Sequence, residues 1–301
     1  MRELPKNAAR TFGIVAREAP RVVLLRRGPS KQVLCITWDT VRHEFRAGQW
    51  FKGRIYEQRC DLSPSGDKLI YLAADQRPPL YAWTAISRPP FLTALALWSN
   101  RGTWGGGGLF ASERRILLNS IDRKCRLAEN FHLPKDVAVE PIAEWAGRGE
   151  DDPIRSKRMM RDGWMLADEG SRGVYKIRAP VSWEFERPER WCKPRGRLIL
   201  ERRTLGIGER SGAWNVLDHR ILDEAGDVVM DLGRSDWADW SRGDEVLLAR
   251  DGRVGRIVIT KQGPREFDEL VDLRGLKFER MAPPPDATRW RGKEVKGTKI
   301  T

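Results

Sequence analysis

The 301-residue chain is poor in the residue types that build metal sites and disulfide frameworks. It has only four cysteines, at positions 35, 60, 125 and 192. None belongs to a C-x-x-C pair, whereas zinc sites usually show closely spaced ligand pairs. We therefore expect no metal site and no cofactor. Cys35 and Cys60 lie in apolar strand-like runs and are interpreted as small buried side chains, and unpaired cysteines fit a reducing compartment.

Histidine is equally scarce, with three residues at positions 43, 132 and 219. They are isolated from one another, and spacing suggests no partner for acid–base catalysis. His219 follows Asp218 at what we interpret as an exposed strand end.

Long hydrophobic runs are also missing. The first apolar run, residues 22–25, ends in two arginines, and a membrane-spanning helix needs about 20 apolar residues. The N-terminal residues lack the apolar segment of a signal peptide. We expect a cytoplasmic protein with no membrane association.

The chain lacks the short motifs of common enzymes. The glycine run at 105–108 is not followed by Gly-Lys-Ser/Thr, as a phosphate-binding loop requires, and no nucleophile elbow occurs. We therefore expect a protein that is not an enzyme. Two carboxylate pairs, Asp151 with Asp152 and Asp236 with Asp239, leave a hydrolase as one alternative. The first pair lies in what we interpret as a charged, exposed loop, and Asp239 is at a turn position.

The chain does contain much tryptophan and positive charge. It has 13 Trp against 4 Tyr, and its formal net charge is +13. Most of the tryptophans are predicted to fill the space between packed sheets. The charge excess comes from arginines scattered through the chain, a pattern more typical of a solvated surface than of a nucleic-acid stripe. A nucleic-acid-associated protein is nevertheless the main alternative, since basic surfaces attract phosphates.

Two stretches of the chain carry nearly the same phrase. Residues 61–73, Asp-Leu-Ser-Pro-Ser-Gly-Asp-Lys-Leu-Ile-Tyr-Leu-Ala, match residues 239–249, Asp-Trp-Ser-Arg-Gly-Asp-Glu-Val-Leu-Leu-Ala, which have a shorter turn. Each predicts a strand end, a tight Gly-Asp turn and an apolar strand. Weaker copies occur at 29–35, 108–119, 162–167 and 194–200. The series predicts about six units, alternatively five, with the spacing of four-stranded blades.

The repeated phrase resembles the blade signature of TolB-type propellers, which are broadly similar to WD-repeat proteins. As a whole the chain looks similar to bacterial TolB-like propeller proteins. The resemblance implies an all-β fold, namely a β-propeller with about six (alternatively five) irregular four-stranded blades. We expect this domain to cover 21–282, after an N-terminal lead-in or edge strand at 1–20 and before a basic, disordered tail at 283–301.

The resemblance also implies that the protein is a non-enzymatic docking or scaffold module. We expect a monomer that binds an unidentified protein partner at one mouth of the ring. Because Trp and Arg dominate interface hot spots, the candidate partner-binding residues are Arg88, Trp104, Trp237 and Trp240. The last two would fall on opposite faces of an extended strand. We expect ring closure by pairing of an N-terminal strand with residues 256–260.

Overall fold

The computed structural model describes residues 9–28, 31–210 and 212–290. These residues form five β-sheets that follow one another along the chain, together with one α-helix and two short 3-10 helices. The all-β expectation is therefore confirmed, and most strand pairs are antiparallel. Within the described ranges, no helix is both long and apolar enough to cross a membrane.

The first two sheets are antiparallel meanders. Sheet 1 contains, in spatial order, β1 (Arg10–Val15), β2 (Arg21–Arg27), β3 (Gln32–Asp39) and β4 (Glu44–Lys52). Sheet 2 contains β5 (Arg54–Ile55), β6 (Asp61–Leu62), β7 (Leu69–Ala74), β8 (Ala82–Ser87) and β9 (Ala96–Asn100). Strands β5 and β6 both pair with β7, so they act as one interrupted edge strand. Every residue of β7 is buried, as expected for a strand covered on both faces.

The remaining sheets are less uniform. Sheet 3 contains β10 (Gly108–Phe110), β11 (Arg115–Leu118) and β12 (Ala138–Pro141), with β12 parallel to β11. Helix α1 (Asp152–Arg161) follows. Sheet 4 contains β13 (Met165–Asp168), β14 (Ser171–Arg172), β15 (Val181–Arg195), β16 (Leu198–Glu209), β17 (Asn215–Asp223) and β18 (Val228–Arg234). Sheet 5 contains β19 (Trp237–Trp240), β20 (Glu245–Arg250), β21 (Arg253–Thr260), β22 (Gly263–Pro264) and β23 (Asp268–Asp272).

The two strong copies of the repeated phrase form equivalent hairpins. Asp61 lies opposite Ile70 in sheet 2, and Asp239 lies opposite Leu247 in sheet 5, so each phrase joins an edge strand to the second strand of its sheet. The copy at 108–119 makes the same connection between β10 and β11. The copies at 162–167 and 194–200 both run into sheet 4. They are therefore not separate units, and the described residues form five sheets rather than six.

Four of the five junctions between neighbouring sheets are apolar clusters, and helix α1 forms the fifth. Tyr71 lies in the cluster between sheets 1 and 2, and Phe110 lies in the cluster between sheets 2 and 3. Trp240 lies in the cluster between sheets 4 and 5, and Trp237 lies in the cluster between sheets 5 and 1. Helix α1 joins sheet 3 to sheet 4, because Ile154 packs with Leu109 while Met159 packs into the cluster of sheets 4 and 5. The packing contacts thus lead from sheet 1 through the other four sheets and back to sheet 1.

Helix α1 occupies part of the segment that we expected to be an exposed loop around Asp151 and Asp152. Asp152 and Pro153 begin the helix and Arg161 ends it, which matches the preference for proline and acids in the first turn and for cations in the last. The expectation of a loop is wrong from Asp152 onward, because burial of Ile154 stabilises the helix.

The expected closure by strand pairing is also wrong. Strand β21 pairs with β20 on one side and with β22 and β23 on the other, so no edge is left for an N-terminal strand. Instead, β1 pairs with β2 and packs against sheet 5. The backbone N–H of Thr11 donates a 3.0 Å hydrogen bond to Asp236 Oδ2, and Gly13 lies against the indole of Trp237.

The C-terminal segment begins as ordered structure. Residues Pro285–Thr288 form a 3-10 helix. Trp290 Nε1 donates to the carbonyl oxygens of Leu95 (3.2 Å) and His132 (3.1 Å). The predicted disorder at 291–301 lies outside the described residues.

Gly13 allows the close approach of sheets 1 and 5. A Cβ at this position would lie 2.6 Å from ring atoms of Trp237. Because overpacking forces neighbouring groups apart, we expect Gly13→Ala to lower the free energy of unfolding by about 1–3 kcal/mol, as measured by urea denaturation. Gly102→Ala is the matched control, since a Cβ there meets nothing within 4 Å. Equal, small losses of unfolding free energy in Gly13→Ala and Gly102→Ala would contradict the close contact of Gly13 with Trp237.

Candidate binding sites

Two of the four predicted partner-binding residues belong to the core. Trp237 is 6% exposed and packs between sheets 5 and 1, while Trp240 is 3% exposed and packs between sheets 4 and 5. They lie on opposite faces of β19, as their spacing predicts. Trp240 Nε1 donates to the carbonyl oxygen of Lys193 at 2.9 Å. Their burial leaves neither indole available to a docking protein.

The other two predicted residues lie at the surface. Trp104 is 63% exposed, and its carbonyl oxygen accepts from the N–H of Glu150. Arg88 lines a surface groove together with Lys135 and Trp290, and its Nε donates to the carbonyl oxygen of Arg289 at 3.1 Å. Trp104 is not among the residues that line this groove.

A central cavity lies where β1, α1, β16, β17 and β19 converge. Its water-accessible volume is about 50 Å³. Its walls include Phe12, Arg158, Arg202, His219, Asp236 and Trp237. The cavity combines apolar walls with a few convergent polar groups, which is typical of ligand sites.

The central cavity brings together the carboxylate pair that the sequence suggested, with one further acid. Asp162, Asp236 and Asp239 all line it. Asp239 accepts a 2.6 Å hydrogen bond from Lys193 Nζ. Burial raises the pKa of Asp236 to about 7, although the Thr11 N–H opposes the shift. The other suggested pair, at Asp151, lies elsewhere.

His219 faces the same cavity and is not at an exposed strand end, so that interpretation is wrong. It lies in β17, which is flanked by β16 and β18, and it is 1% exposed. Its Nδ1 is 2.7 Å from Ser235 Oγ. Burial lowers the pKa of His219 to about 3, with a further contribution from Arg202. The imidazole is therefore neutral at physiological pH.

A buried ion cluster joins sheets 2 and 3 to α1. The Asp61 carboxylate accepts two hydrogen bonds from Arg161 (2.6 and 2.9 Å) and one from the N–H of Phe110 (2.7 Å). Arg161 also donates to Asp162 at 2.8 and 3.1 Å. Burial alone would lower the pKa of Arg161, but the hydrogen bonds with Asp61 and Asp162 outweigh it and raise that pKa.

One edge of sheet 4 exposes several large apolar side chains between charged ones, and we name residues 165–177 the fourth-sheet edge. It comprises β13, β14 and a continuation in which the N–H groups of Gly173 and Lys176 donate to β15 at 2.9 Å. Among the described residues, no strand pairs with its outer side. The exposed apolar side chains of this edge are Met165, Leu166, Val174, Tyr175 and Ile177.

No protein-family model matches this chain, and a search of curated proteins gives no match either. Within the part of the chain that the structure describes, no group of three or more His, Cys, Asp or Glu side chains could hold a metal ion. The function must therefore be argued from the chain's own side chains.

Sequence reasoning missed Arg202 and His219, although each leaves a weak signal. Leu200 and Arg202 are two residues apart in β16, as are Leu217 and His219 in β17, and all four are buried. Alternate residues of a strand share one face. A polar residue two positions from a core leucine in a strand is therefore expected to be buried.

Proposed function

We propose that the five sheets are the blades of a five-bladed propeller and that the protein docks another protein. The succession of sheets along the chain and the apolar clusters that lead from sheet 5 back to sheet 1 support this architecture. The recurrence of one hairpin in sheets 2, 3 and 5 supports it as well. Membership of the TolB-type family is a proposal of the same kind, based on the repeated phrase.

The observation that carries the docking proposal is the exposed fourth-sheet edge. Val174 and Ile177 are 79% and 77% exposed. An edge strand presents unpaired backbone N–H and C=O groups, and proteins usually protect such edges with charge or cover. Contiguous exposed apolar groups mark interaction sites. The partner that fits is an extended, apolar segment of another protein that adds a strand to the sheet.

The register of this edge favours a partner segment over a second copy of the chain. The pairing with β15 shifts between Leu166 and Asp168 and again between Ser171 and Arg172. Such irregularities twist an edge and interrupt its ladder. Two identical interrupted edges would align over only short stretches, whereas a flexible segment can follow one of them. The protein is then a monomer, as the sequence led us to expect.

A peptide selection tests the proposal. A library of displayed peptides is selected on the immobilised protein, and the affinities of the selected peptides are measured for the Val174→Lys/Ile177→Lys variant. We expect alternating apolar peptides whose affinity falls by at least about tenfold in this variant, because two charges then replace apolar side chains that would flank the added strand. Methylation of alternate peptide N–H groups should have a similar effect, because it removes ladder hydrogen bonds.

The matched control is Val228→Lys/Val229→Lys, which alters exposed valines on β18 at the opposite edge of the same sheet. This control should bind the selected peptides as the wild-type protein does. Selected peptides that bind all three proteins equally, or a failure to select any peptide, would contradict the proposal. A wild-type dimer that dissociates in the Val174→Lys/Ile177→Lys variant would instead identify a second copy as the occupant.

A further inference from the structure

The central cavity contains a guanidinium with incomplete partners. Arg202 is 6% exposed. Its Nη1 is 3.7 Å from Met159 Sδ, a weak acceptor, and 3.8 Å from Glu189 Oε1, which is beyond hydrogen-bond range. Its Nη2 has no hydrogen-bond partner among the residues that the structure describes. A buried cation with too few partners is costly.

Glu189, the nearest carboxylate, is already engaged by other groups. It accepts hydrogen bonds from Arg155 at 3.2 and 3.3 Å and from the Thr204 hydroxyl at 3.0 Å. Its charge is therefore shared between Arg155 and Arg202. Glu189 cannot fully neutralise both cations.

A second buried cation lines the same cavity. Arg158 donates only to neutral oxygens, namely the carbonyls of Glu57 (3.3 Å) and Cys60 and the side chain of Gln58 (3.4 Å). Burial lowers the pKa of Arg158, against the attraction of Asp61 and Asp162. Burial lowers the pKa of Arg202 to about 10, and repulsion from Arg155 and Arg158 acts in the same direction. Attraction by Glu189 offsets part of this shift. Arg202 remains charged at physiological pH.

The acidic side chains that face the cavity do not neutralise the positive charge of Arg158 and Arg202. Asp162 is hydrogen-bonded to Arg161, and Asp239 to Lys193. Asp236 accepts from a backbone N–H. Because burial raises the pKa of Asp236 to about 7, part of its population is neutral at physiological pH. The charge left without a partner in the cavity is positive.

We propose that the central cavity binds a small oxyanion, a carboxylate or phosphate group, against Arg202, with Arg158 adding positive charge. A guanidinium presents parallel N–H donors that match two oxyanion oxygens. The aromatic side chains of Phe12, Trp164 and Trp237 form apolar walls around the oxyanion site. This site is separate from the fourth-sheet edge and does not depend on docking.

Calorimetric titration of the purified chain with inorganic phosphate and with acetate, at constant ionic strength, tests the proposal. The key variant is Arg202→Met, which should fold because an apolar residue can replace a buried charge without loss of stability. Arg202→Lys keeps the charge and loses the planar fork. Arg256→Met is the control, since Arg256 is paired with Glu245 and Asp268 on sheet 5.

We expect at least one of the two probes to bind the wild-type chain and Arg256→Met equally. Affinity should fall by at least about tenfold in Arg202→Met and less in Arg202→Lys. Tryptophan fluorescence should change on binding, because Trp164 and Trp237 line the cavity. The preferred probe distinguishes a phosphate ligand from a carboxylate. Equal binding by Arg202→Met, or no binding of either probe to the wild-type chain, would overturn the proposal.

Discussion

Asp61→Ala is expected to lower the free energy of unfolding by about 3–5 kcal/mol, the usual cost of removing one partner of a buried ion pair. The substitution leaves the Phe110 N–H without its acceptor and removes two hydrogen bonds from Arg161. Asp61 is 1% exposed, so water cannot easily replace the lost carboxylate. The loss should weaken the junction of sheet 2, sheet 3 and α1.

Urea denaturation of the Asp61→Ala, Arg161→Met and double variants gives the coupling between the two residues. We expect a coupling free energy of about 1–3 kcal/mol, because the two groups are in direct contact. Asp61→Asn is the conservative control, since its amide oxygen can still accept from the Phe110 N–H, and it should lose less stability. A loss below about 1 kcal/mol in Asp61→Ala would fall outside the range for a buried ion pair.

Asp236→Asn is expected to make the folded chain more stable above neutral pH by about 4 kcal/mol, from the conversion of a pKa shift to free energy. Burial raises the pKa of Asp236 to about 7 from a usual value of 3.8. Between these pH values the unfolded chain releases a proton that the folded chain retains, so wild-type stability falls as the pH rises. Asparagine stays neutral, and its amide oxygen can still accept the hydrogen bond from the Thr11 N–H.

The measurement is urea denaturation of both proteins at a series of pH values. The advantage of Asp236→Asn should be small below about pH 4, grow as the pH rises and level off above about pH 7. Asp272→Asn is the control with the opposite sign, because hydrogen bonds from Arg274 lower the pKa of Asp272 to about 2. Parallel pH profiles for wild type and Asp236→Asn would contradict the burial of a protonated Asp236.

The hairpins were predictable because their signals are local. The Gly-Asp turns at 61–73 and 239–249 are flanked by apolar strands, and both form the connection that the phrase predicts. Helix α1 also had a local signal, with Pro153 in the first turn and Arg161 in the last. Its low apolar content made the segment resemble a loop.

The candidate sites were less predictable because their partners are distant in the sequence. Thr11 and Asp236 are 225 positions apart, and Arg161 and Asp61 are 100 apart. Residue spacing cannot reveal such contacts, since they depend on which sheets become neighbours. The fourth-sheet edge was missed for a related reason. Whether an apolar residue such as Ile177 is covered depends on the presence of a further strand.

Hydrogen–deuterium exchange with and without a selected apolar peptide tests the docking function most directly. Backbone amides on the outer side of β13 and β14 should exchange quickly in the free protein and become protected when the peptide is bound, because the added strand supplies their hydrogen-bond acceptors. Protection confined to another surface, such as the groove at Arg88, with these amides unchanged, would contradict docking by strand addition at the fourth-sheet edge.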